Sequence, residues 1–161
     1  MLQRLAKIGR VLAIVGALEL VTGLVLAQTT NPLVGSWNFK VTVTGGCTAQ
    51  PCKYIGMLAF NQGGTVFEQR GTTVGYSGLG NVERTALGTW QSTGGNPPYT
   101  FKIKDFIFDS TGKLSAFILG TSGITLSSTL NSFSGSGTAK IFSAGGSPID
   151  TETFTITGTR F

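Results

Sequence analysis

The chain has 161 residues, enough for one domain; 12% are charged, 40% are hydrophobic, 24 are Gly and none is His. This composition excludes a disordered chain and favours strands joined by tight turns over helices. Without His there is no Ser-His-Asp triad and no ordinary zinc enzyme.

The chain begins MLQRLAKIGR, with Arg4, Lys7 and Arg10, and continues into an apolar run over 11–27 that ends Val25-Leu26-Ala27. That layout predicts a secretory signal peptide over residues 1–27, hence a secreted or periplasmic protein with no membrane span after cleavage. Glu19 interrupts the run, so the alternative is an uncleaved anchor. Cleavage removes three basic residues and one acid from totals of 12 and 7, leaving a net charge of +3 on a single expected β-barrel domain, 28–161. The densest basic cluster is then Lys102-Ile103-Lys104, whose alternation puts both lysines on one strand face, and nucleic acid is not expected as a partner.

The first strand, Gly35–Thr44, alternates Trp37, Phe39, Val41 and Val43 with Asn38, Lys40, Thr42 and Thr44. This is the period of a half-buried strand. Next comes GGCTAQPC, in which Cys47 and Cys52 are expected to pair in an exported protein. The bridge would close a short loop, worth about 2 kcal/mol on the chain-entropy view. Further strands are expected at Tyr54–Asn61, Thr65–Arg70, Thr85–Ser92, Tyr99–Phe108, Lys113–Leu126, Ser132–Ser143 and Ile149–Phe161. Gly120 and Gly123 suggest a bend or bulge in the sixth.

Eight strands with hairpin-length turns predict an all-β, eight-stranded antiparallel up-and-down barrel, with a β-sandwich as the alternative. In such a barrel the start of the first strand and the end of the last are neighbours. Arg160 is therefore expected beside Trp37, stacked on the indole, with Gly35 permitting a close approach of the chain below the floor. The connections 45–53, 71–84, 109–112 and 144–148 share the opposite end, the mouth of a cup.

Several motifs carry a resemblance. The G-S-W start at Gly35–Trp37, the single meander and the terminal Arg resemble the calycin superfamily, especially lipocalin-like proteins. LAFNQGGT (Leu58–Thr65), the G-T-W strand running into TGG (Gly88–Gly95) and TGTRF (Thr157–Phe161) are similar to a group of small exported bacterial proteins of unassigned function. The resemblance implies a barrel whose Trp and Arg pack at the closed end, and it brings no catalytic residues.

Chemistry has little to build on. Glu68, in TVFEQR, is the best lone acid, most simply a surface residue on a polar strand face. Asp105 shares parity with Ile103 and Ile107 and reads as an inward acid, a bulge position or a salt-bridge partner of Lys104 or a neighbouring strand. Phe39, Phe60, Phe101, Phe133 and Phe154 alternate on separate strands and either line or fill the barrel. The leading expectation is an exported binding protein that holds a small apolar or amphipathic ligand, without cofactor or metal. Phe39, Phe60, Phe101 and Ile103 would line the site, and Tyr76 and Leu79 of the Gly-rich loop would cover it. The alternatives are a filled barrel acting as an interaction module, and a barrel isomerase or cyclase using Glu68 or Asp105 as acid or base.

Overall fold

The computed structural model describes residues 30–46, 53–71 and 84–161. Eight strands follow in chain order: β1 Gly35–Gly45, β2 Lys53–Phe60, β3 Thr65–Arg70, β4 Arg84–Ser92, β5 Tyr99–Phe108, β6 Leu114–Leu126, β7 Ser132–Ser143 and β8 Pro148–Arg160. Each is antiparallel to the next, and β8 pairs with β1, so the sheet closes on itself. Closure leaves no strand edge with unpaired backbone groups. The barrel is built wholly from the compact unit Asn31–Phe161. The expected signal peptide over 1–27 lies outside the described residues, as do Cys47, Cys52, Tyr76 and Leu79.

Alternation decides which side chains enter. Along β1, Trp37, Phe39, Val41 and Val43 are buried and the intervening positions face outward. Following directly paired residues from Trp37 around the barrel, through Leu58, Glu68, Ala86, Asp105, Ile118 and Ile141, arrives at Asp150, ten residues short of Arg160. That stagger tilts the strands against the barrel axis, and eight strands leave an interior about wide enough for side chains.

Phenylalanines project into it, and inward glycines on neighbouring strands make room for the rings. A Cβ on Gly158 would come within 2.2 Å of Phe133, and one on Gly137 within 2.6 Å of Phe154. Small and large residues thus interlock across adjacent strands. Gly120 belongs to this set, which corrects the expected bend: β6 pairs with β7 without a register shift from Ala116 to Leu126, and a Cβ on Gly120 would meet Ile103 at 2.9 Å. Gly123 faces the other way, under Pro97. The register shifts fall instead at Val43/Gly45, Ile107/Phe108 and Ile141/Phe142, all near the mouth.

The closed end is capped by the segment before β1. Asn31–Val34 forms a turn, with Val34 N donating to Asn31 O and Leu33 N to Asn31 Oδ1. Leu33 and Trp37 are both fully buried. The Trp37 indole donates to Leu33 O at 2.9 Å, and its ring meets Phe133 edge-on at 5.3 Å. Arg160 pairs with Trp37 across the closing seam, and its guanidinium carbon lies 4.3 Å from the indole centroid. The guanidinium donates to Val34 O, Pro32 O and Leu130 O, so one side chain ties the entering chain to the β6–β7 connection. Gly35, at φ +133°, holds a backbone that side chains rarely adopt, and a Cβ there would also press on Arg160 Nη1 at 2.7 Å.

Candidate functional site

Charge is buried in the other half of the barrel. Tyr54, Glu68, Arg70, Asp105 and Glu152 all point inward and all are buried. Tyr54, Arg70 and Glu152 lie near the mouth ends of their strands. Parity puts them there: Val66, Glu68 and Arg70 alternate inward along β3, while Phe67 faces out. The β2–β3 hairpin fixes their partners. Its turn closes with Gly64 N donating to Asn61 O, and the register that follows sets Phe60 opposite Val66, Leu58 opposite Glu68 and Gly56 opposite Arg70.

Two small residues let the cluster assemble. Gly56, opposite Arg70, carries no side chain into the barrel beside Tyr54, and the Arg70 guanidinium carbon lies 4.5 Å from the Tyr54 ring centroid. Ala86 is directly paired with both Glu68 and Asp105, so acids from β3 and β5 project past its methyl group. Arg70 Nε donates to Glu68 Oε1, and Arg70 Nη1 stands 3.4 Å from Asp105 Oδ2. Phe39 meets the Tyr54 ring edge-on at 5.9 Å.

The electrostatics follow from burial. Burial pushes the Tyr54 phenol well above its usual value; Arg70 pulls it back, and Glu68, Glu152 and Asp105 push it further up. For Arg70 burial opposes the charge, but the pull of Tyr54, Glu68 and Asp105 outweighs it, and the guanidinium is held protonated more firmly than in water. Buried ion pairs of this kind recover their desolvation cost only with good geometry, and they are weak sources of net stability.

The expected acids therefore meet. Glu68, read most simply as a surface residue, is 2% exposed and faces the interior, because β3 keeps the parity of Val66. Asp105 is inward, and its partner is Arg70; Lys104 faces out and lies over the rings of Phe106 and Phe117. Both acids are engaged with Arg70. Among the described residues, no group of three or more acids converges to hold a metal ion.

The expected apolar lining divides. Phe60 and Phe101 touch edge-to-face at 5.7 Å, and Phe60 meets Trp90 at 6.1 Å, so this part of the interior is packed. Phe39 and Ile103 are buried as well, Phe39 against Tyr54 and Ile103 against Gly120. Ile107, Ala116, Ile118 and Ile141 form a second, smaller apolar cluster toward the mouth on β5–β7. A concavity of about 820 Å³ crosses β8, β1, β2 and β3; outward residues such as Asn38, Ile55, Met57 and Gln69 line it together with the inward Phe39 and Arg70.

Sequence reasoning missed Tyr54, Arg70 and Glu152. Their parity with Leu58, Val66 and Phe154 was available; what favours the cluster is non-local, the small residues at 56 and 86 on adjoining strands. No helix among the described residues is long and apolar enough to cross a membrane. No protein-family model matches the chain, and comparison with curated proteins finds no match.

Proposed function

We propose that this is a lipocalin-like binding protein, exported through its N-terminal segment, that takes a small amphipathic ligand through the mouth of the barrel. The observation that carries the reading is the buried Tyr54–Arg70–Glu68–Asp105 cluster, with Glu152 also buried, in a largely apolar interior. Burying these charges is costly, and packed apolar residues would hold the barrel at least as well. A polar head that exchanges hydrogen bonds with Arg70 and Tyr54 gives them a use. The apolar part of the ligand would lie against Val41, Val43, Ile107 and Ile118, and the Phe60–Phe101 layer would form the floor of the site. This moves the ligand toward the mouth, away from the full phenylalanine lining.

Native mass spectrometry of the full chain, before and after organic extraction, tests this reading. The expected result is a discrete extra mass that leaves on extraction and is absent from Arg70→Met. A bare mass, with no heat of binding from a panel of cationic, anionic and neutral amphiphiles, would contradict it.

A second reading has its own support. The rings lying over Gly137 and Gly158 favour a filled barrel, and the concavity around Ile55 and Met57 would then make the outer wall the binding surface. On that reading, bound mass would be insensitive to Glu68→Gln and Asp105→Asn, whose side chains do not line the concavity, and lost on Ile55→Lys.

A further inference from the structure

The outer wall is divided along the barrel axis. Near the closed end it is hydroxyl-rich: Thr121, Thr125, Ser134, Ser136, Thr157 and Thr159 are exposed there. Every large apolar side chain exposed on a strand lies in the middle of the barrel or nearer the mouth. The densest group is on β5, β6 and β7. Phe106, Phe117 and Phe142 are directly paired in one row across the three strands, with Phe108 beyond them toward the mouth. Phe106 is 44% exposed and Phe108 51%, and Phe117 and Phe142 stack with centroids 5.0 Å apart.

The next outward row toward the closed end is Lys104, Leu119 and Lys140, again directly paired. Lys104 Nζ leans over the rings of Phe117 and Phe106 at 4.5 and 5.0 Å. Asp109, in the β5–β6 turn, already accepts from Thr111 Oγ1, Thr111 N and Lys113 N. The face thus presents an aromatic row and, one pleat behind it, a cationic row.

We propose that this β5–β7 face docks on an anionic lipid surface, with Phe106 and Phe108 entering the boundary of the acyl region and Lys104 and Lys140 at the level of the phosphates. The ordering fits a bilayer interface: apolar rings lead, and long lysine stems keep their ammonium groups in the headgroup layer. Charge also selects this occupant over a second copy of the chain, because a self-paired face would bring two lysine rows together. Exposed apolar patches on soluble proteins mark such contacts. The proposal is independent of whether the interior holds a ligand.

The test uses the full chain carrying Phe108→Trp, which places an indole on the face while Trp37 and Trp90 remain buried. Vesicles of phosphatidylcholine alone are compared with vesicles containing an equal part of phosphatidylglycerol. Binding at the face gives a blue shift and quenching by lipids with doxyl groups on the acyl chains, only with the anionic vesicles, and weakened by salt. Lys104→Gln and Lys140→Gln in the same background should each weaken the response on the order of fivefold. Both changes are on exposed positions, and near-ultraviolet circular dichroism checks the fold.

The readout is local, so it decides the matter even if the N-terminal segment holds the chain on the vesicle. An unshifted, unquenched indole on chains that sediment with anionic vesicles would overturn the proposal, as would failure to sediment. Equal responses to both vesicle types would overturn the charge argument. A blue shift that grows with protein concentration without lipid would show a face between copies of the chain instead.

Discussion

The two halves of the barrel interior solve the burial problem in different ways. At the closed end the interior carries no buried charge among the described residues, and its polar groups are used: the Trp37 indole nitrogen has Leu33 O, Ser122 Oγ has Ser136 O, and the Arg160 guanidinium reaches three carbonyls while remaining exposed to water. Toward the mouth, an arginine and three carboxylates are taken out of water beside a tyrosine. The first arrangement is what stability alone would select. The second adds little net stability for its desolvation cost, and it is the observation behind the proposed ligand site.

Substitution separates these halves. Trp37→Ala should cost about 3–5 kcal/mol in urea unfolding, because it empties the floor beneath Phe133 and strands the Arg160 stack. No second change nearby should restore that loss. Arg70→Met alone should cost about 3 kcal/mol, since Glu68 and Asp105 would lose their buried partner. Here a second change should help: adding Glu68→Gln and Asp105→Asn should recover most of the loss. If the triple variant were no more stable than Arg70→Met, the ionic cluster would be a structural support and the contrast would fail.

A smaller effect is expected at the seam. Arg160→Lys keeps the charge but not the fork that reaches Pro32, Val34 and Leu130, and should cost about 1–2 kcal/mol. Thermal unfolding of the two proteins side by side measures it; an unchanged midpoint would mean that the cap is held by Leu33 and Trp37 alone.

The mildest test uses pH. Tyr54 holds its proton more tightly in the folded barrel than in the unfolded chain, where it titrates near 10.0. Its contribution is therefore complete below that pH and declines as pH rises through it toward the higher folded-state value. Tyr54→Phe should match the parent protein near neutrality, apart from the lost hydroxyl, and show a shallower decline of stability above pH 10. Parallel alkaline limbs would place the phenol in contact with solvent.

Much of the architecture was legible in the residues. Strict alternation in Gly35–Thr44 and the spacing of turn residues locate the strands to within about one residue, because a half-buried strand advertises its period locally. The Trp37–Arg160 contact follows from strand parity alone: an even number of antiparallel strands returns the chain to its starting end. The ionic cluster was harder to read. Glu68 looks like a surface residue because acids are rarely buried, and only the parity of Val66 says otherwise. Arg70 and Asp105 meet because Gly56 and Ala86, on other strands, leave space, and no local window contains that fact. Gly120 was misread for a related reason. A glycine within a strand often marks a bulge, but here the space it leaves is taken by Ile103 from the neighbouring strand.

The account rests on the claim that the mouth-half cluster serves a ligand and not the fold. Native mass spectrometry of the parent chain beside Arg70→Met/Glu68→Gln/Asp105→Asn tests that claim most directly. The account predicts a compact charge-state distribution for both, with an extra, extractable mass on the parent and none on the triple variant. The same bound mass on both proteins, or a bare mass on both, would contradict it.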